Sequence, residues 1–502
     1  MIRKTILIFV IILVAFSLTA GGAKEPAKTE KTIRVAENVP GLITPGVWDG
    51  QAITLNASIY EYLVEVDAVD NSLRPILATD WSTDDGAVWT FHLREGVKFH
   101  DGTPFDAWDV KYTIERTQDP AVGHLKRADF AVVKAIDVVD DHTVVITLKE
   151  KRPTFVMQMT DYNMAILSRH YDYENLGERS PMGTGPFILS QMVPKENALL
   201  VRNREYWDPA LPKVDRLEIY FVTDLDAKVA MLEGNQVDVV PFVSPVTRLR
   251  LDAHPNINVI AAYQEHRFIA MAVDQKPFDD NRVRLAFKYT MDPDILARSV
   301  AQTTVGEGFY YNESPIMNTL VEYHEMGRRG RDIAKARSLL EEAGYPNGVS
   351  VDLYYANDHP YSKELSQTVA ELAAPAGFAI NLKGFPRDIY LTQYWLKVGF
   401  SITGWGGRID PAILLGLAFR SDGPWNEPHL ADPVIDSLID RIASEADEVV
   451  RSRYYQQLQQ YFYDEGAIIN IQVPKLVALR TNVTGYQHPL TMIVQYKYAD
   501  ID

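Results

Sequence analysis

The 502-residue chain contains no cysteine. It can form no disulfide, thiolate zinc site, iron–sulfur cluster or cysteine nucleophile. Basic side chains are also in deficit, 50 Lys and Arg against 67 Asp and Glu, which gives a formal charge of −17 and a pI near 5.2. No field draws such a chain to phosphate backbones or anionic lipid, so no nucleic-acid partner is expected. Beyond Lys31 no apolar run reaches the roughly 18 residues that a membrane span requires, so the mature protein should not insert into a bilayer. The 29 Gly and 28 Pro are spread along the whole length, which excludes a collagen-like or low-complexity tract.

Signature strings are missing as well. Neither Gly-x-x-x-x-Gly-Lys-[Ser/Thr] nor Gly-x-Gly-x-x-Gly occurs, so the chain itself should not bind ATP or a dinucleotide. Gly-x-Ser-x-Gly, Ser-x-x-Lys and His-Glu-x-x-His are absent too, which removes the common serine-hydrolase, penicillin-recognising and zinc-protease patterns. The 11 histidines are dispersed, with His92 and His100 too far apart for one helical face, so neither a metal nor a cofactor is expected.

What is present is a globular composition, 46% apolar and 11% aromatic, long enough for about three folding units. Arg3 and Lys4 precede an apolar run from Ile6 to Leu18 and a small-residue stretch Thr19-Ala20-Gly21-Gly22-Ala23. This is the layout of a secretory signal peptide, taken as residues 1–23. Its run is too short for a spanning helix. Cleavage leaves 48 basic against 67 acidic side chains, a charge of −19, and no Cys follows for acyl attachment, so a free periplasmic protein is expected.

Short β-like runs at 32–36, 88–93, 143–148, 199–202, 217–222, 237–240 and 468–473 alternate with capped helical patterns, so the class is α/β. One helix is expected from Thr103 to Arg116, with Thr103 as cap and Pro104 in the first turn. A second spans Asp224 to Glu233 with Gly234 as left-handed stop, and a third spans Asp332 to Ala343 with Gly344 as stop. A fourth begins at Asp432-Pro433, followed by an amphipathic segment from Val449 to Tyr463.

Aromatic residues concentrate between Tyr390 and Trp425, where Trp405 lies in a glycine-rich turn with Gly404, Gly406 and Gly407. A Trp in this setting either packs in a core or lines a cleft against which a ligand stacks. Arg408 and Asp410 follow at once, either as a surface ion pair or as the fixed charges that meet a polar ligand.

The stretch from Trp89 through Arg94-Glu95-Gly96-Val97-Lys98-Phe99-His100-Asp101-Gly102-Thr103-Pro104 to Val110 resembles the signature of the peptide/nickel group of extracellular solute-binding proteins, family 5. Gly183-Thr184-Gly185-Pro186-Phe187, Asn203 to Trp207, Pro277 to Asp280 with Arg282-Val283-Arg284, and Lys335 to Asn347 match that family too. Read from the residues alone, the signature is architectural: Trp89, Phe91, Leu93, Val97 and Phe99 are core positions, and Asp101-Gly102 makes a turn.

The resemblance implies a two-lobed periplasmic-binding-protein fold (class II, large type) with a subdomain inserted in lobe I and two hinge strands. Lobe I is then about 31–265 plus 480–502, its insert about 57–182, and lobe II about 266–479. It also implies a monomeric, non-enzymatic component of an ABC importer that captures di- or oligopeptides or similar amine-bearing solutes. The closed form would deliver them to permease subunits driven by separate ATPases. Asp410-Pro411 resembles the element that accepts a peptide's ammonium. A carboxylate-binding Arg is missing near Tyr361, where only Lys363 is found; either Arg387 or Arg408 supplies that cation, or the ligand is longer, lacks a free carboxylate or is not a peptide. The candidate ligand-binding set is Asp410, Trp405, Arg408, Trp425, Gly406, Arg387 and Tyr361. Two other readings stay open: an oligosaccharide binder on the same scaffold, and a secreted hydrolase using a carboxylate pair that 67 acids hide from inspection.

Overall fold

The computed structural model describes residues 30–40, 43–46, 53–173, 181–302, 309–359 and 361–502. The expected signal peptide lies outside them. No described helix is long and apolar enough to cross a membrane.

Alternation of period two builds the first strand, Thr32–Glu37, which buries Ile33 and Val35 completely. It pairs in parallel with Arg216–Phe221, setting Ile33 opposite Leu217 and Val35 opposite Ile219. Asn197–Arg202 and Phe187–Val193 extend that edge by antiparallel pairing. On the other side comes Val239–Val240, and then the two longest strands, Ile468–Arg480 and Ile257–Met271. Phe400–Trp405, Val349–Ala356 and Phe378–Phe385 complete the opposite end of the same sheet.

The two long strands pass from one half of the sheet to the other. At one end Leu479 faces Val239, and at the other Met271 faces Phe400. Between these ends they pair antiparallel from Ile257 opposite Arg480 to Ala270 opposite Ile468, with one register shift between Ala261 and Gln264. Pro474 lies opposite Gln264 at that shift. A proline has no N–H for the ladder, so the irregularity falls where the sequence cannot support regular pairing.

Within Ile257–Met271 alternate residues feed different cores. Ile269 and Met271 join Phe287, Leu353, Phe400 and Ile471, whereas Phe268 and Ala270 join Trp405, Leu415, Ile439 and Phe462. Each fully buried side chain of this size contributes about 1.5–3 kcal/mol. A third core gathers Ile33, Ile59, Phe187, Leu217, Val477 and Tyr496. A separate four-stranded antiparallel sheet has its own core, in which Trp89, Phe91, Leu93, Val97 and Phe99 are all buried.

Most helix starts fall where the caps predict. Asp224, Asp332 and Asp432 cap Leu225–Glu233, Ile333–Glu342 and Pro433–Ser444, and Glu448–Glu465 forms the long amphipathic helix. Gly344, with φ +92°, takes the left-handed stop after the second of these.

Two expectations are corrected. The helix expected from Thr103 starts at Ala107, because Asp101 Oδ1 accepts both the N–H and the hydroxyl of Thr103, at 2.9 and 2.6 Å, and holds it in the turn. Asp106 caps instead, accepting from the Trp108 N–H at 2.9 Å, while Asp109 accepts from the Asp106 N–H at 3.1 Å. Gly234 is not left-handed, its φ being −79°; Asn235, at φ +58°, makes the turn that leads to Val239–Val240.

Candidate functional site

Strand Phe400–Trp405 ends in the glycine-rich turn, and cross-strand register decides what surrounds it. Trp405 lies opposite His266, and His266 lies opposite Gln472, so the three share one face of the sheet. A methyl group at Gly407 would run into the Leu490 side chain, and one at Gly406 would sit 3.0 Å from Met492 Sδ. The two glycines let the segment around Leu490 and Met492 lie directly on the turn.

Trp405 is buried, and its indole N–H donates to Glu427 Oε1 at 2.8 Å. The Trp395 indole donates to the same oxygen, also at 2.8 Å. Trp425, 37% exposed, packs on both rings with centroids 5.6 Å from Trp405 and 6.1 Å from Trp395. Burial pushes the Glu427 carboxyl up to about 7, opposed by the two indoles and Thr403.

Arg408 is half-buried, and its guanidinium donates to the carbonyls of Gly406 at 3.4 Å and Gly407 at 3.1 Å. Its charge also acts on Asp161, Lys126 and His266. Burial alone would raise Asp161, but Lys126 and Arg408 hold its carboxyl below the usual range. His266 is buried and stays neutral, lowered to about 4 chiefly by burial, and its Nδ1 lies 3.0 Å from Asn470 Oδ1.

Asp410 is 2% exposed. Its Oδ1 accepts from the Ala412 N–H at 2.9 Å and caps Pro411–Ala418. Burial raises its pKa, opposed by the Thr154 hydroxyl and by Ala412. Tyr361 is buried on the other face, its hydroxyl donating to the Pro474 carbonyl at 2.7 Å and its ring 5.7 Å from the Arg267 guanidinium. Arg267, fully buried, bonds Glu265 Oε2 at 2.8 Å and its neighbour His266 carbonyl at 2.8 Å. Burial would raise Glu265, but Lys475 and Arg267 hold it at about 2. Arg387 is exposed, its backbone N–H donating to Asp358 at 2.8 Å.

The structure therefore brings Trp405, Gly406, Arg408 and Trp425 together. Asp410 caps the next helix, Tyr361 serves the opposite face beside Arg267, and Arg387 points outward. Sequence reasoning missed Glu427, His266, Gln472 and Asp161. Glu427 meets Trp405 and Trp395 from 22 and 32 residues away, and no local spacing reports such a meeting.

Buried polar atoms without a hydrogen-bond partner include Glu427 Oε2, Gln472 Nε2, Asn318 Oδ1, Asn163 Oδ1 and Thr491 Oγ1. Such atoms are costly unless something polar meets them. Donors, acceptors, one guanidinium and a tryptophan wall suit a polar ligand with an apolar part. An open surface concavity lined by Thr79, His92, Asp140 and His142 lies on the four-stranded sheet and holds none of these residues.

Comparison with known proteins agrees with this architecture. A family model for bacterial extracellular solute-binding proteins, family 5, matches residues 72–426. The chain is 28% identical over 479 residues to the glutathione-binding protein GsiB of Escherichia coli O1:K1 / APEC, covering 92% of each chain. It is similar in fold to the periplasmic binding protein DppA from Helicobacter pylori in complex with the peptide STSA, with a TM-score of 0.80 at 21% identity over 94% of this chain and 98% of that one. It is similar also to the PBP AgaA in complex with agropinic acid, from A. tumefacien R10, with a TM-score of 0.79 at 20% identity over 94% and 99%. The fold is thus the two-lobed periplasmic-binding-protein type. The chain belongs to the bacterial extracellular solute-binding proteins of family 5.

Proposed function

We propose that the protein is the periplasmic, non-enzymatic substrate-binding component of an ABC importer, capturing peptides or similar amine-bearing solutes and handing them to a membrane permease. The observation that carries this reading is the meeting of Arg408, the Trp405–Trp425 wall and unpartnered buried polar atoms beside the two long strands. The glutathione-binding and peptide-bound relatives favour a peptide ligand.

Lobe I is proposed to comprise about 31–265 and 480–502 with an insert at about 57–182, and lobe II about 266–479. The separate cores support this division in outline, as does the register shift at Ala261 and Gln264, although Val477 and Leu479 pack in the core of Ile33 and Leu217. A ligand that touches both lobes binds the closed state better and shifts the population by that difference alone. In this reading Arg408 receives a ligand carboxylate, Trp405 and Trp425 cover its apolar part, and Asp410 meets the ammonium.

Trp425, exposed at the site, also fits a sugar face, so an oligosaccharide binder is the second reading. Native mass spectrometry of protein purified without denaturation, followed by calorimetry against di- and tripeptides and against α- and β-linked oligosaccharides, separates them. Recovery of the ligand unchanged excludes hydrolysis. Silence from every peptide would sink the first reading.

A further inference from the structure

Glu427 takes none of the carboxylate, ammonium or apolar contacts assigned above, and one of its two oxygens is already engaged within the protein. Three segments meet at one of its atoms: Trp395 after the turn Tyr390–Tyr394, Trp405 at the end of Phe400–Trp405, and Glu427 itself before Pro433–Ser444. Both indole N–H groups donate to Oε1 at 2.8 Å. An indole has a single donor and no acceptor, so this bond fixes each ring's rotation about its side-chain axis.

The three ring centroids are 5.6 to 6.4 Å apart with interplanar angles of 43° to 63°. The rings pack on one another and leave no gap for a guest cation among them, so the carboxyl organises a wall rather than the floor of an aromatic cage. We propose that Glu427 is a positioning residue of the ligand-binding wall, its Oε1 tying Trp405 to Trp395 and fixing the plane of Trp405 beside His266. This rests on the reading above that Trp405 faces the ligand.

The groups around the carboxyl are few. Thr403 lies against it, but the Thr403 hydroxyl is 2.7 Å from the Tyr390 hydroxyl. Along its own segment His429 lies 2.8 Å from Asp274. Oε2 is left without a partner in a residue only 5% exposed. Burial holds the group at about 7, so both protonation states are populated near neutrality. The ionised form makes the stronger, charge-assisted bonds to the indoles, and the tie tightens as pH rises.

The test uses the full mature protein. Tryptophan emission of the ligand-free wild type should change between pH 5 and 9 with a midpoint near 7. Glu427→Gln keeps an acceptor oxygen but cannot titrate, so its spectrum should match the wild type at one pH and stay flat across the range. Glu427→Leu strands both indole donors and should alter the emission, with thermal melting confirming that it folds. A Glu427→Leu emission identical to that of the wild type, or a transition that persists in Glu427→Gln, overturns the proposal without reference to any ligand.

Binding of glutathione and of the dipeptide Met-Leu then probes the wall. For whichever probe binds, Glu427→Leu should lose at least tenfold in affinity and Glu427→Gln less than threefold. Equal affinity in Glu427→Leu and wild type overturns the positioning role. If neither probe binds the wild type while the emission results stand, the tie is upheld and the peptide reading is what fails.

Discussion

His266 and Trp405 lie directly opposite each other across the antiparallel pair Ile257–Met271 and Phe400–Trp405, so imidazole and indole occupy one face at the point where the first long strand enters its second half. His266 also packs at a tilt on Phe268, with centroids 5.0 Å apart, and Phe268 packs against Trp405 at 6.4 Å. Aromatic order in the candidate site is therefore coupled to the long strand Ile257–Met271. Trp405→Ala should cost about 3–5 kcal/mol, as loss of a buried ring does, whereas Trp405→Phe should keep most of the stability and lose only the bond to Glu427. Urea unfolding of both variants checks this, and equal midpoints for the two would contradict it.

Asp410 separates two roles by substitution. Asp410→Ala removes the helix cap and should destabilise by about 1 kcal/mol, while Asp410→Asn keeps a good cap. If the carboxylate also meets a ligand ammonium, Asp410→Asn weakens binding by about 1.5–3 kcal/mol with melting unchanged. Calorimetry showing wild-type affinity in Asp410→Asn would leave the residue with its cap alone.

Arg408 donates to two carbonyls of its own turn and helps hold the buried Asp161 carboxyl ionised, so Arg408→Ala should destabilise by about 1 kcal/mol. Affinity for a carboxylate-bearing ligand should fall by about 1.5–3 kcal/mol, and an amidated ligand should bind wild type and variant alike. Equal loss for free and amidated ligand would argue against a carboxylate contact.

The pH response of His266 has a defined sign. Burial lowers its folded pKa to about 4, so between about 6.5 and 4 the unfolded chain binds the proton and the folded chain does not. Stability falls as pH drops through that window, by up to about 1.4 kcal/mol per pH unit from this group. His266→Gln should show a shallower loss of melting temperature from pH 6.5 to 4.5 than the wild type. Parallel curves would mean that His266 is protonated in the fold. Glu427 acts with the opposite slope: a folded pKa near 7 favours the folded state at low pH and costs stability as pH rises from about 4.5 to 7.

Gly183 and Gly185 of the Gly-Thr-Gly-Pro-Phe string both press on the Ile59 carbonyl, where a methyl group would collide with backbone oxygen. Gly185→Ala should therefore destabilise by about 1–3 kcal/mol, measured as a shifted unfolding midpoint. A midpoint within error of the wild type would show that this approach relaxes freely.

Much of the fold was legible because its causes are local. Alternation marked Val88–Leu93 and Thr143–Leu148 to the residue, and an Asp followed at once by Pro marked the start of Pro433–Ser444. The same Asp-Pro signature occurs at Asp410-Pro411, where the residues read as a ligand element and the structure shows a cap. Thr103 failed as a cap because Asp101, two residues earlier, competes for its polar groups. The site was half legible for a different reason. Trp405, Gly406 and Arg408 share one turn, but Glu427 reaches Trp405 and Trp395 only through tertiary folding, and Gln472 reaches His266 only through strand register.

The register shift opposite Pro474 has a mechanical consequence. Two long strands paired along their whole length would form a stiff ribbon that resists bending across its plane. Interrupting the ladder at one place leaves each end clamped into its own half and concentrates compliance in a few residues. Lobe closure of the kind proposed above would be aimed about a single crease, at the place where one amino acid lacks an amide hydrogen.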